Sequence, residues 1–370
     1  MKIALVHDWF DQVHGGSENV ALHFTRMFPQ AEIFVLLYNP AMFDSKIGKR
    51  ILHTSSLQRL PARVRRNHKL LLPLIPKALS SFNFTGFDLV ISSSPAFSKN
   101  ITVPDDIPHI TYCHSPMRFA WDHWPEYLYE QKYGRFQKAL AKGIIPRIRK
   151  WDLDGAQRIK HWIANSETVK QRIQKYYSVD ADDIVVMHPP VELRDAPKLI
   201  DNRDEYYVTL ATLTPYKRID LAIKACNVSR RKLVVIGDGP ARKDLEQIAG
   251  DTIRFMGFVN VEEKWDLLRR AKGLLFPQVE DFGMAPIEAM AVGTPTIAFR
   301  QGGVTETIID GRYGTLFDEQ TSESLVDAID RSELTKYNAG DMREAAQEYS
   351  SETFDKQFMD YVGKVTDGHN

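Results

Sequence analysis

Cysteine is nearly absent: Cys113 and Cys226 are the only two in 370 residues. Two cannot build a disulfide framework, and their separation fits no metal motif, so a reducing compartment is expected. No apolar run approaches the ~20 residues that span a bilayer. The most suggestive, KLLLPLIPKAL at 69–79, is short and broken by prolines. The opening MKIALVHDWF has one basic residue and a short apolar run, which suits a first strand rather than a signal peptide. A cytoplasmic protein is therefore expected, with any membrane contact peripheral. The eleven histidines form no ligand cluster, so no metal and no cofactor are expected. Repeats with a period of 20–50 residues and low-complexity segments are also missing. Net charge is zero, 48 Lys+Arg against 48 Asp+Glu, and no recognised motif marks the basic regions, which speaks against nucleic acid.

What is present fits a globular protein of two domains: 43% hydrophobic and 26% charged residues over 370 positions. The charge is uneven. Residues 1–190 hold 25 Lys+Arg and 17 Asp+Glu (+8), and residues 191–370 hold 23 and 31 (−8), so the halves face different partners. Short β-rich runs alternate with helical patterns. Strands are predicted at 2–7, 32–37, 88–93, 109–114 and 161–165, then at 206–211, 232–237, 253–258, 273–277, 294–299 and 313–317; the run 183–192 ends at a double proline, where neither a helix nor a central strand can continue. The polar, proline-rich PPVELRDAPKLIDNRD places a boundary near 189–203. The expected fold is α/β: two doubly wound, Rossmann-like domains, 1–190 and 191–350, with a cleft between them. Ligands in such folds lie beyond the carboxyl ends of the strands.

The stretch VEDFGMAPIEAMA (279–291) sets two carboxylates, Glu280 and Glu288, eight positions apart. A strand ends before it, and Pro286 suits the first turn of a helix predicted over 286–292. The N–H groups of about residues 283–286 then stand at the positive end of that helix, a place for phosphate. Carboxylates on either side suit vicinal hydroxyls, so the layout fits a sugar, a diphosphate and a ribose. The plainer reading is an acidic helix start whose glutamates complement the dipole. In TLTPYKRID, Lys217 lies where an ammonium can reach a diphosphate. In HGGSENVALHF, Gly15 and Gly16 allow close backbone approach ahead of a helix. YCHSPMRFAWD places His114 at a strand end, with Arg118 and Asp122 after it.

Together, GGSE, YCHSPMRFAWD, HPPVE, YKRID, GDGP and EDFGMAPIEAMAVGTPTIAF resemble the family-4 retaining glycosyltransferases of the GT-B fold. Among these the sequence is most similar to the mannosyltransferases of bacterial O-antigen and capsule assembly, which commonly use GDP-mannose. The resemblance covers nearly the whole chain. It implies that Glu280 contacts donor-sugar hydroxyls, that Glu288 binds the ribose, and that backbone N–H groups around Phe282, Gly283, Met284 and Ala285 hold sugar or phosphate oxygens. It further implies that Lys217 grips the diphosphate, that Gly16 approaches it from the other domain, that His114 sits at the sugar, and that Phe258 marks the base. A closing helix at 351–370 returns to the first domain in this family. Where the family carries an arginine five positions before the lysine, this chain has Thr212, and Arg218 or Arg118 is the available substitute.

The implied partners are a nucleotide-sugar donor and a saccharide or lipid-linked acceptor, with Arg118 and Asp122 on the acceptor side. The basic, leucine-rich RLPARVRRNHKLLLPLIPK (59–77) and the basic KALAKGIIPRIRK (138–150) fit either an anionic membrane surface or a solvated helix face. Two other enzyme classes leave weaker traces. DLD (152–154) and DADD (180–183) formally match the metal site of single-domain transferases. HGGSE and GDGP fall short of the G-x-G-x-x-G that a dinucleotide-dependent oxidoreductase needs.

Overall fold

The structure, a computed structural model, describes residues 1–11, 15–65, 67–122 and 135–368, with backbone alone for Lys69 and 135–142. The chain divides into two compact units: Met1–His188 with Asp355–Asn370, and Pro189–Phe354.

The first unit is built on seven strands: β1 (Ile3–Phe10), β2 (Glu32–Tyr38), β3 (Leu52–Thr54), β4 (Leu89–Ser94), β5 (His109–Cys113), β6 (His161–Ala164) and β7 (Ile184–Val186). They form one sheet in the order β3-β2-β1-β4-β5-β6-β7, parallel throughout. β1 and β4 are buried along almost their whole length, as a sheet covered on both faces requires, and this is why they read as continuous apolar or small-residue runs. The helices used below are α1 (Gly16–Met27), α2 (Arg135–Ala156) and α3 (Glu167–Tyr177). Ser166 caps α3 by accepting the Val169 N–H at 3.1 Å, and Ser178 ends it in the left-handed region.

The second unit has six parallel strands: β8 (Tyr206–Leu210), β9 (Lys232–Ile236), β10 (Ile253–Gly257), β11 (Gly273–Phe276), β12 (Thr296–Phe299) and β13 (Gly314–Phe317), in the order β10-β9-β8-β11-β12-β13. Its helices include α4 (Ile219–Val228), α5 (Val261–Arg270) and α6 (Met284–Ala291). One buried cluster, from Val208 through Phe276 and Ile287 to Met342, covers one side of the sheet, and another, from Tyr207 through Ile223 to Ile329, covers the other. The last helix, α7 (Ser351–Asp367), brings Phe358 against Phe24 at 4.7 Å between ring centroids, and Asp355 accepts from His23 Nε2 at 2.5 Å.

All eleven predicted strands occur, some shorter than drawn where a proline ends pairing, while β1 runs on to Phe10. The run 183–192 keeps only Ile184–Val186 as strand, because Pro189 and Pro190 follow. β3, three residues on the sheet edge, went unpredicted; a segment that short carries no period. The helix expected at 286–292 starts two residues earlier, at Met284, because a proline is tolerated anywhere in the first turn.

Candidate active site

In each sheet the strand order reverses once, between β1 and β4 and between β8 and β11. At such a switch point the connections after two adjacent strands leave in opposite directions and open a crevice at the strand carboxyl ends. In the second unit that geometry decides which side chains meet. The loop after β8 carries Thr212, the single 3₁₀ turn Pro215–Lys217 and then α4; the loop after β11 carries Glu280 and leads into α6. Lys217 Nζ forms an ion pair with Glu280 Oε1, although the two lie 63 positions apart in sequence. Both side chains keep part of their surface in solvent, and the ammonium also lies 4.9 Å from the Tyr216 ring centroid.

Gly283 precedes α6 with φ +93, a left-handed conformation suited to glycine, and a Cβ there would stand 3.1 Å from Phe276 Cζ. That turn aims the start of α6 at the same end of the sheet as Lys217. First-turn N–H groups have no acceptor within their own helix. Pro286 contributes none, so the expected 283–286 cradle reduces to Gly283, Met284 and Ala285. Phe282 is a core side chain 5.8 Å from the Tyr349 ring, while Met284 and Ala285 pack at the core's margin. Glu288, one turn into α6, accepts from Lys264 Nζ of α5 at 2.7 Å. Phe258, just after β10, is 69% exposed.

The connection between the two glutamates is braced by a glycine pair the sequence reading passed over. A Cβ on Gly302 would sit 2.4 Å from the Glu280 carbonyl oxygen and one on Gly303 2.4 Å from that of Asp281, while Gly303 N–H donates to the Glu280 carbonyl at 3.0 Å. The signal was GG directly before the acidic VTET turn. GDGP plays a similar part. A Cβ on Gly237 would fall 2.0 Å from the Ala211 carbonyl oxygen, and Leu213 N–H donates to the Asp238 carbonyl at 3.0 Å, so these glycines hold the Thr212 loop instead of forming a dinucleotide turn. Thr212 itself is exposed. Arg218, in the left-handed region at φ 52, bonds Asp220 Oδ1 and Gln320 Oε1, each at 3.2 Å.

In the first unit the switch point is lined by histidines. His7 Nδ1–H donates to the Ser93 carbonyl at 2.8 Å, and His114 Nε2 lies 2.8 Å from Ser93 Oγ. Burial, with the neighbouring His7 adding to it, pushes the His114 imidazole down to about 3, so it is neutral at physiological pH. Gly15 has ordinary extended geometry; its N–H donates to Glu18 Oε2 at 2.9 Å, and a Cβ would stand 2.7 Å from that oxygen. A carboxylate of the chain itself thus already sits at the start of α1, which Gly16 opens. Arg118 begins a short helical turn, and Asp122 after it accepts from the Tyr176 hydroxyl and pairs with Arg172 Nε at 3.4 Å.

Asp152, the first acid of DLD, is fully buried and pairs with Lys99 Nζ at 2.6 Å, and Asp154 pairs with Lys150. Asp152 is thus taken by a cation of the chain itself, and no group of three or more potential ligands occurs among the described residues.

Two parallel α/β units with these switch points define a GT-B architecture. Over its full length, at 16% identity, the chain superposes on Anabaena HepE in complex with UDP (TM-score 0.73, covering 98% of this chain and 100% of that one) and on sucrose-phosphate synthase of Thermosynechococcus elongatus (TM-score 0.75, 100% of each). Models of two families, described as Glycosyltransferase Family 4 and Glycosyl transferases group 1, match residues 14–195 and 191–352 in succession. The chain belongs to the family-4 glycosyltransferases of the GT-B fold. It is 28% identical over 216 residues to the O-antigen chain mannosyltransferase RfbU of Salmonella typhimurium; the match covers 53% of this chain and 61% of that relative, less than two thirds of its length.

Proposed function

We propose that the protein is a retaining, metal-independent glycosyltransferase that moves a hexose from a nucleotide-sugar donor to a saccharide or lipid-linked acceptor in bacterial polysaccharide synthesis. Mannose is the assigned sugar, by similarity to the mannosyltransferase above, and GDP its assigned carrier, by the family resemblance of the sequence motifs; a UDP- or ADP-linked sugar is the alternative donor. The observation that carries the reading is the meeting of Lys217 and Glu280 at the β8/β11 switch point, beside the N-terminus of α6.

Cleavage of the anomeric C–O bond leaves negative charge on the departing diphosphate and positive charge on the sugar ring. Lys217 and the N–H groups opening α6 supply fixed positive potential for the diphosphate. When the diphosphate draws the ammonium to itself, Glu280 is released to accept from sugar hydroxyls. In a front-face reaction the acceptor oxygen bonds to the anomeric carbon on the side the leaving group vacates. Its proton passes to a phosphate oxygen of that leaving group, so no protein nucleophile takes part. Glu288 receives the ribose and Phe258 stands at the base. Gly15, Gly16 and His114 are assigned to the donor, and Arg118 and Asp122 to the acceptor.

A thermal-shift panel of GDP-, UDP-, ADP- and dTDP-sugars, followed by mass analysis of products, tests the proposal. A GDP-mannose response with transfer supports it; no response to any donor refutes it. A sugar-nucleotide-binding protein with little turnover is the second reading, favoured by Thr212 and by the engagement of Arg218 with Asp220 and Gln320. Donor hydrolysis or transfer by purified protein eliminates that alternative.

Peripheral membrane contact is assigned to 59–77, where Leu70 and Leu74 are exposed beside exposed Arg59 and Arg63. In this segment Arg66 and the Lys69 side chain, and in the second basic segment the side chains of 138–142, lie outside the described residues. The protein should co-sediment with anionic vesicles at low salt and be released at high salt; absence of low-salt binding leaves only a solvated face.

A further inference from the structure

We propose that Lys264 is a positioning residue for nucleotide recognition, setting the Glu288 carboxylate to receive the ribose hydroxyls; this rests on the donor reading given above. Lys264 Nζ lies 2.7 Å from Glu288 Oε1, and the two side chains are 22% and 17% exposed, so solvent competes only partly for either charge. The lysine stem is confined on a second side, its ammonium lying 4.8 Å from the centroid of the Trp265 ring, whose side chain is buried in the core.

The helix does not explain this lysine. Asn260 caps α5 by accepting the Glu263 N–H at 2.8 Å, Glu262 and Glu263 fill its first turn, and Arg269 and Arg270 its last. That is the charge order the helix dipole favours, and a cation directly after the first turn runs against it. The partner on α6 accounts for the placement. An isolated carboxylate at the end of a flexible stem turns freely about its last torsion and is repelled by an arriving diphosphate. With one lone-pair direction taken by Lys264, the carboxylate is held in one orientation, its charge is partly offset, and its remaining lone pairs stay available to a vicinal diol.

The test compares affinities of the full chain for GDP and UDP with those for their 2′,3′-dideoxy counterparts by calorimetry, in wild type, Lys264→Met and Lys264→Arg. Wild type should prefer the ribonucleotide of its base by about tenfold or more, as deletion of a hydrogen bond to a charged group requires. Lys264→Met should flatten that preference to within about threefold with little change in dideoxynucleotide affinity, and Lys264→Arg should retain it. Equal weakening of both ligands in Lys264→Met, or a preference that survives it, overturns the positioning role while leaving the ribose assignment standing. A wild type that shows no preference, or binds neither nucleotide, overturns the Glu288 assignment and this inference with it.

Discussion

Lys217 and Glu280 neutralise each other, and neither is sealed in the core, so their removal should act on chemistry more than on folding. At saturating acceptor, Glu280→Ala and Lys217→Ala are each expected to reduce transfer by about 10²–10³ while the urea midpoint stays near that of wild type. Near-normal turnover in both would remove them from the site. His114 works the other way. The residue is 9% exposed, and its imidazole is held neutral with a pKa of about 3, against 6.5 ordinarily. Below pH 6.5 the unfolded chain takes up a proton that the native ring refuses until about pH 3. Stability from this group is therefore complete above pH 6.5 and is lost progressively as pH falls toward 3. Between pH 6.5 and 5 the loss should reach about 2 kcal/mol. Urea titrations at pH 7.5 and 5.0 should show it, with a smaller fall in His114→Gln; an equal fall in that variant would assign the loss to other groups.

Among the elements, the buried Lys99–Asp152 pair ties four pieces of the first unit together. Asp152, on α2, accepts from Asn100 Nδ2 at 2.9 Å, from Trp121 Nε1 at 2.8 Å and from the Tyr177 hydroxyl of α3 at 2.7 Å, besides its contact with Lys99. Gly155, one turn on in α2, leaves room for the Asn100 side chain, whose Oδ1 would lie 2.0 Å from a Cβ there. Lys99→Met should cost about 3–5 kcal/mol, because it strands a carboxylate in a dry interior. Equilibrium denaturation measures this, and a loss under 1 kcal/mol would show the carboxylate to be satisfied by its three other donors. DLD thus illustrates how a short acidic motif misleads: its spacing is read in sequence, but a lysine 53 positions earlier determines whether the first aspartate meets a metal or a cation of the chain.

For the molecule as a whole, the donor assignment predicts where a nucleotide acts. Saturating nucleoside diphosphate should slow amide exchange in 211–218 and 280–288 of the second unit and raise its stability by about 2.7 kcal/mol at a hundredfold excess over Kd. Protection confined to the first unit would contradict the assignment. Much of this architecture was legible in the chain. Parallel strands buried on both faces read as unbroken apolar runs, and Gly283, Pro286 and the two glutamates mark a turn into a helix by local chemistry alone. Pairings were not legible. Nothing near Lys217 in sequence points to Glu280, nothing near Glu288 to Lys264, and nothing near Gly302 to the carbonyl it abuts. The amino-acid order by itself determined most strands and, to within a turn, the helix starts, because those depend on spacing and on backbone preferences of single residues, and its motifs carried the family resemblance. Only the tertiary structure decided which charges neutralise which, since that follows from the order of strands across each sheet and the point at which that order reverses.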